Sequence, residues 1–369
     1  MTDPYEINLN ACRARQTRLR DFMSRHSIDL VVVTRIEHVQ YLTGFRSPTV
    51  FSPAAALWAD GHCLLVAAHK QPPSAAADDV RVYEAKRLST MHSEQRHIST
   101  KVLIDAIATR PQCKHVGVEY SSCGPEVTTQ IDAKLFDIEP ELYRLRRKKD
   151  EYEIKLIRKA IAGTGKMYER AREVIEPGVN ELHVFNELQA VAVREYGEML
   201  TGTGNDYQAA SRGGPPRDRE CKAGELYILD LGPAFRGYFA DNARTICVDR
   251  KPTEAQQQAW QHLADVFPIV EQRAVPGASC AELFFAIKEQ LAPCEPWLFN
   301  HHLGHGIGLA PHEAPHLNPN WDDVFEVGDV FTAEPGLYHN ELNHGIRLEN
   351  DYLVTDTGVE LLSPFPLEL

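Results

Sequence analysis

Apolar positions recur at two different spacings along this chain, and the architecture is predicted to change where the spacing changes. From Asn10 to His26 charged and apolar residues follow a helical period, and the uninterrupted apolar run Leu30 to Val33 reads as a buried strand. Ala55 to Val66 reads as a hairpin closed at Asp60-Gly61, a dipeptide suited to the left-handed backbone of a tight turn. Val116 to Glu119 and Phe136 to Glu139 are further strand candidates, separated by a helical segment around Glu126 to Leu135. The basic run Arg144 to Lys149, beside Asp150, Glu151 and Glu153, reads as the solvated start of a helix. From Asp150 one long helix is predicted to about Val174, with Ile154, Ile157, Ile161 and Met167 at near-helical spacing. An α/β domain over residues 1–148 and a second domain over residues 149–369 are therefore expected.

The second domain carries a weak internal repeat. Glu176-Pro177-Gly178-Val179-Asn180-Glu181-Leu182 is echoed by Val275-Pro276-Gly277-Ala278-Ser279-Cys280-Ala281-Glu282-Leu283, each between two helical segments. Each copy runs on into a strand pair, Glu225 to Val248 and Val330 to Thr355. In the first pair, a centre between Phe235 and Arg236, in the turn Phe235-Arg236-Gly237, sets Asp230 opposite Asp241; in the second, a centre between Glu341 and Leu342 sets Glu334 opposite Glu349. Like charges opposed on apolar strands destabilise a sheet unless a cation or a shared proton compensates them. If the halves pack about a pseudo-twofold axis, four carboxylates converge, and two divalent cations would neutralise them.

Composition narrows the partners. Lys and Arg number 39 against 52 Asp and Glu, a formal charge of −13 that would repel a phosphate backbone, so no nucleic acid partner is expected. Hydrophobic residues make up 43% and charged residues 25%, the balance of a globular protein, and no long uncharged apolar run suggests a membrane span. The first residues, MTDPYEINLN, lack the apolar core of a signal peptide, which makes the cytoplasm the expected location. Eight cysteines are scattered without a paired motif and read as reduced, mostly buried thiols.

A fifth candidate ligand comes from the stretch His301 to Glu313, where glycines flank His305 and His301, His302 and His312 lie close by. Oxygen-rich ligation with one imidazole favours manganese or cobalt, with zinc and iron as alternatives. Two such ions can activate a water and polarise a carbonyl, which points to hydrolysis of an amide or related C–N bond. His301 and His312 are the candidates for stabilising the oxyanion or moving a proton to the leaving nitrogen.

Taken in order, Asp230-Leu231-Gly232, Gly237-Tyr238, Asp241-Asn242-Ala243-Arg244-Thr245, Gly304-His305-Gly306, Glu334-Pro335-Gly336 and Gly345-Ile346-Arg347-Leu348-Glu349 resemble the motifs of the Xaa-Pro aminopeptidase, prolidase and creatinase group of the pita-bread (M24) metallopeptidase family. Tyr41-Leu42-Thr43-Gly44-Phe45 resembles its creatinase-type front domain. The resemblance implies an α/β creatinase-like N-terminal domain and an α+β pita-bread catalytic domain with a pseudo-twofold repeat. It makes Asp230 and Asp241 ligands of one metal and Asp241, His305, Glu334 and Glu349 ligands of the other, with Asp241 and Glu349 bridging. It gives His301 and His312 substrate-binding and proton-transfer roles, makes Arg347 a brace of the acidic cluster, and implies a homodimer.

Two positions depart from the family's pattern. The peptidases carry a substrate-contacting histidine about seventeen residues before the first metal aspartate, where this chain reads Ser211-Arg212-Gly213-Gly214-Pro215-Pro216. Arg212 or Arg217 is the candidate to take over, unless the substrate is not a conventional Xaa-Pro peptide. Ala243 stands where a hydroxyl residue often supports the neighbouring aspartate, a task Asn242 or a water could assume. The leading expectation is a binuclear Xaa-Pro dipeptidase or aminopeptidase acting on small peptides. The alternatives are a C–N hydrolase of the same fold acting on a small amide, amidine or guanidino compound, similar to ectoine hydrolase or creatinase, and a non-catalytic metal-binding member.

Overall fold

The computed structural model describes residues 3–85 and 95–369, and the chain divides into two compact units, Met1–Arg146 and Arg147–Leu369. The first unit is built on a six-stranded sheet of β1 (Leu30–Val33), β2 (Ala54–Trp58), β3 (Cys63–Ala68), β4 (Asp79–Tyr83), β5 (His115–Val118) and β6 (Lys134–Asp137), in the order β4-β3-β2-β1-β5-β6. The β1–β2 and β2–β3 pairs are antiparallel, the second a hairpin, whereas the β1–β5, β5–β6 and β3–β4 pairs are parallel. The parallel pairs bury both faces, which is why Leu30 to Val33 is apolar without alternation. The helix Leu9–His26 is capped by Asn8, whose side chain accepts the Ala11 amide, and buries Cys12, Leu19 and Met23.

Two boundaries in this unit differ from the sequence expectation. The helix expected to reach Leu135 ends at Gln130, and the next strand already starts at Lys134. Glu139 belongs to the helix Glu139–Arg147 rather than to a strand, because the Asp137 carboxylate accepts its amide at 3.0 Å and turns the chain into that helix.

The basic run before Asp150 is not a solvated helix start. Arg146, Arg147 and Lys149 are buried, and each cation has a partner. Arg146 lies against His38 Nε2 at 3.1 Å. Arg147 grips Asp329 through two bonds of 3.0 and 2.7 Å, and Lys149 donates to Glu313 at 2.7 Å. Buried charges persist only when paired in this way.

The second unit opens with the helix Glu151–Val174, fixed by a capping box between Asp150 and Glu153. Its first half continues through the helix Glu181–Tyr196 to β7 (Asp206–Ala209), β8 (Leu226–Leu231), the short pair β9 (Ala234–Phe235) and β10 (Tyr238–Phe239), and β11 (Asn242–Cys247). The second half brings helices Glu254–Ala264, Phe267–Arg273 and Cys280–Leu291. They are followed by β12 (Gly304–Gly306), β13 (Glu313–Leu317), β14 (Val330–Ala333), β15 (Gly336–Leu337), β16 (Ile346–Arg347), β17 (Asn350–Thr355) and β18 (Gly358–Leu361). The sheets run β11-β8-β7 in the first half and β13-β12-β14-β17-β18 in the second. Met167, Leu188, Tyr207 and Leu229 belong to one apolar core and Leu263, Ile287, Phe331 and Tyr352 to another, which also takes in Leu226 and Cys247 of the first half's sheet.

The repeated Pro-Gly segments occupy equivalent positions. Gly178 donates to the Cys221 carbonyl and Cys221 to that of Val179, each at 2.8 Å; Gly277 donates to Phe325 at 2.8 Å and Phe325 to Ala278 at 3.0 Å. Asn180 and Ser279 then cap the helices that follow. A shared hydrogen-bond pattern of this kind gives the internal repeat a physical content that a Pro-Gly dipeptide alone lacks.

Candidate metal centre

The strand pairs aim the carboxylates inward, but not through the register expected for the first. β11 pairs β8 with Ala243 opposite Asp230 and Asn242 opposite Leu231, and the hairpin closes at Arg236-Gly237 between Phe235 and Tyr238. Asp241 therefore lies diagonal to Asp230 on the same face instead of facing it. On the other side of β8, the residue opposite Asp230 is Asp206, on β7. In the second half the expectation holds: Ala333 pairs with Asn350 and Gly336 with Arg347, so Glu334 and Glu349 face one another between the two stretches of ladder.

These residues converge. Asp230, Asp241 and Glu349 form one group and His305, Glu334 and Glu349 a second; a third joins Asp241 and His305 to His312, and within each group the donor atoms lie within 4.8 Å of one another. His305 Nδ1 donates to the Gly306 carbonyl at 3.1 Å, which leaves Nε2 as a lone-pair donor 3.5 Å from Glu334 and 3.7 Å from Asp241. Burial, with a smaller contribution from His312, holds the His305 pKa well below its ordinary value, so the ring is neutral.

The carboxylates cannot all ionise unaided. Burial, then Asp230 and Glu334, pushes Asp241 well above the ordinary carboxyl range, and burial, then Asp230 and Asp241, does the same to Glu349. Glu334 is pushed up to about 8 by burial and Asp230. Asp230 Oδ1 and Glu349 Oε2 are buried without a hydrogen-bond partner. Orphaned oxygens inside a cluster of suppressed charge, next to a neutral imidazole nitrogen, are the donor set a pair of divalent cations requires.

A protein cation serves the other side of the cluster. The Arg347 guanidinium bonds Asp206 and reaches Asp230 at 3.0 Å, and its other nitrogen donates to the Tyr338 hydroxyl at 3.4 Å. The bracing expected of Arg347 is thus directed at Asp230 and Asp206. Arg244, fully buried, donates to the carbonyl of Glu349 and to Asn350 Oδ1 at 2.9 Å, fixing the strand that presents Glu349. Asn242 compensates for Ala243 indirectly: its amide donates to the Glu349 carbonyl rather than to an aspartate side chain. Behind Asp241, Asp351 accepts the Asp241 amide at 3.3 Å, and burial pushes its own carboxyl up to about 8.

The histidines divide. His312 is exposed and stacks on His305 with ring centroids 3.7 Å apart, at the open side of the cluster. His302 approaches Glu334 at 3.3 Å without hydrogen-bond alignment. His301 joins none of the three groups. Its Nδ1 donates to the His302 carbonyl at 2.7 Å and its Nε2 accepts from the Tyr338 hydroxyl at 3.1 Å. Burial, with Arg347 behind it, lowers its pKa to about 3, so it stays neutral.

The loop that departs from the family pattern has a steric explanation. A Cβ on Gly213 would stand 2.2 Å from the Asp206 carboxylate, and Gly214 donates its amide to the same carboxylate at 2.6 Å. With Asp206 committed to Arg347, no larger side chain fits there. Arg217 is occupied by Glu181 at 2.6 Å, whereas Arg212 lies 4.1 Å over the Tyr338 ring. Sequence reasoning missed Asp206 because its strand, Asp206–Ala209, carries no apolar run to mark it. Arg244 could have been found, as an arginine inside the apolar run Ala243 to Val248.

Comparison with known proteins agrees with this geometry. The profile of Metallopeptidase family M24 matches residues 155–356, and that of the Creatinase/Prolidase N-terminal domain matches residues 15–148. A Xaa-Pro dipeptidase of Pyrococcus horikoshii is 27% identical over 363 residues, covering 95% of this chain and 97% of the relative. The crystal structure of the prolidase from Pyrococcus horikoshii superposes with a TM-score of 0.80 at 25% identity, over 96% of this chain and 99% of that one. The Xaa-Pro dipeptidase from Bacillus anthracis shares the fold, with a TM-score of 0.81 at 22% identity over 97% of this chain and 99% of that one.

Proposed function

The chain belongs to metallopeptidase family M24, and on that premise we propose that it is a binuclear metal-dependent dipeptidase or aminopeptidase that hydrolyses Xaa-Pro bonds in small peptides. The observation that carries the proposal is the overlap of the ligand groups, in which Asp241, Glu349 and His305 each belong to two. Asp230, Asp241 and Glu349 would hold one divalent ion, and His305, Glu334, Glu349 and Asp241 the other. Manganese or cobalt suits this oxygen-rich set better than zinc or iron. When bound, such ions supply Lewis acidity and a water of lowered pKa.

The chain's own residues do the rest. His312, exposed at the open side of the cluster, presents an imidazole that can accept a proton there and deliver it to the leaving proline nitrogen. His301 holds the Tyr338 hydroxyl in place at the edge of the cluster, and Arg347 keeps Asp230 oriented. A reducing compartment such as the cytoplasm accords with eight free cysteines, and none of the described helices is long and apolar enough to cross a membrane. A homodimer is part of the same reading and is checked by sedimentation.

The test is turnover of a panel of Xaa-Pro dipeptides and longer Xaa-Pro peptides with manganese or cobalt, beside creatine and ectoine, with Asp241→Ala as control. Xaa-Pro cleavage that disappears in the control is expected. Silence on every peptide from protein holding two metals per chain would overturn the peptidase reading in favour of small C–N substrates, which the glycines at 213 and 214 would then explain.

A further inference from the structure

One nitrogen of Arg347 serves two carboxylates. Its Nη2 bonds Asp206 Oδ2 and stands 3.0 Å from Asp230 Oδ2, while Nη1 donates to the Tyr338 hydroxyl at 3.4 Å. Nε, which shares an edge of the guanidinium with Nη2, is buried without a hydrogen-bond partner. Such an edge is best satisfied when it lies squarely on one carboxylate in two parallel hydrogen bonds. Here the edge is split between two acids, and one donor is left over.

Asp206 holds it in that position. Its carboxylate is fixed at both oxygens, Oδ1 by the Gly214 amide at 2.6 Å and Oδ2 by Arg347. The glycine segment is itself fastened to β7: the Tyr207 amide donates to the Gly214 carbonyl at 2.8 Å, and Gln208 Nε2 to that of Pro215 at 2.6 Å. The Arg347 backbone is fixed as well, because its amide donates to Thr245 Oγ1 and its carbonyl accepts that hydroxyl, each at 3.0 Å. Only the guanidinium is left to move between the two acids, which face one another across the β7–β8 ladder. Asp230 turns Oδ2 to Arg347 and keeps Oδ1 without a hydrogen-bond partner, which leaves that oxygen for a cation.

We propose that Asp206 is a positioning residue that holds the Arg347 guanidinium off Asp230, and so keeps the Asp230 carboxylate open for the divalent ion it would share with Asp241 and Glu349. The inference rests on the two-metal reading of the site and is independent of the substrate. Without the Asp206 charge, Nε and Nη2 would close on Asp230 as a bidentate fork, and a cation would have to displace an arginine to bind there. Arg347 forms no ion pair with Glu334 or Glu349 among the described residues, so the ion assigned to His305 and Glu334 has no such competitor. The same device gives Gly213 a task. A Cβ there would stand 2.2 Å from Asp206 Oδ2, the oxygen that bonds Arg347.

Equilibrium dialysis of the full-length protein against graded free manganese, with bound metal counted by elemental analysis, tests this without a turnover assay. The wild type is expected to take up two ions per chain. Asp206→Asn keeps the size of the side chain and an oxygen for the Gly214 amide. It should take up one ion as the wild type does and the other only at roughly tenfold to a hundredfold higher manganese. Adding Arg347→Met removes the competitor and should bring the weakened ion back towards its wild-type affinity, a recovery that misfolding would not produce.

Two ions held by Asp206→Asn as tightly as by the wild type would overturn the inference. Equal weakening of both ions, or a double variant that binds no better than the single one, would overturn it too. Fewer than two ions in the wild type would instead sink the binuclear reading, and this inference with it.

Discussion

The two halves of the second unit share a backbone frame and differ in what they put on it. In both, the buried acid after a positive-φ glycine accepts an amide three residues back: Lys222 donates to Glu225 Oε2 at 2.9 Å and Glu326 to Asp329 Oδ2 at 2.8 Å. The carbonyls of those acids then receive Val248 and Val354, each at 2.9 Å. Onto this frame each half hangs two inward carboxylates, Asp230 with Asp241 and Glu334 with Glu349. The supporting arginines are exchanged: Arg347 of the second half compensates Asp206 and Asp230 of the first, and Arg244 of the first half holds the Glu349 backbone of the second. The histidines obey no symmetry, since His301, His302, His305 and His312 all come from the second half. Charge is contributed by both halves, and proton-moving groups by one.

If the charge is shared, removing it from either half should do similar damage. Asp241→Ala and Glu349→Ala each take a carboxylate from two ligand groups, and each is expected to lower kcat by roughly 10³-fold or more, with loss of bound metal measured by elemental analysis. Retention of both metals by one variant and not the other would break the equivalence. Stripping the metal exposes the same shared deficit as a pH effect. Glu334 is raised from 4.5 to about 8, and Asp241 and Glu349 are raised too, so between those values the folded state binds more protons than the unfolded state. Metal-free protein should therefore lose stability as the pH rises through this window, and manganese should abolish the slope by replacing the protons. A metal-free protein whose melting temperature climbs over that window would contradict the proposed cluster.

The exchanged arginine is the next test. Arg347→Met leaves Asp206 and Asp230 opposed in the sheet without their cation, an expected loss of about 3–5 kcal/mol in chemical denaturation. Adding Asp206→Asn should recover part of that loss, because the repulsion it relieves is the cause. No recovery in the double variant would mean that Arg347 stabilises by packing and not by charge.

This arrangement also decides what could be read from the chain. The second hairpin was legible because Glu334 and Glu349 sit symmetrically about the turn near Glu341, and the ladder keeps that register on both sides of the break. The first was misplaced by one position at its centre, since the turn is Arg236-Gly237, and a one-position error at the turn moves the partner by two. A shift of two preserves the face of a strand, so Asp241 still points at the cluster although it is not opposite Asp230. Convergence was thus insensitive to the error, but the identity of the residue opposite Asp230 in the hairpin was not: it is Ala243, and the facing carboxylate, Asp206, comes from β7 on the other side. The buried basic segment at Arg146 to Lys149 was misread for a related reason: its partners Asp329 and Glu313 lie far along the chain, and local charge balance gave no hint of them.

The smallest effect probes the frame itself. Gly178 and Gly277 hold φ of 92° and 85°, and a Cβ at either would meet nothing within 4 Å. Substitution by alanine is therefore penalised by the backbone alone, by about 1 kcal/mol at each site. Because the hydrogen bonds around the two turns match, the two losses should agree to within about 0.5 kcal/mol, and the double variant should show their sum. Measured by urea denaturation, equal and additive losses mean that the repeat persists as one backbone solution used twice. A much larger loss at one site would show that the halves have diverged in the turn as well as in the histidines, and that only the strands bearing the carboxylates remain equivalent.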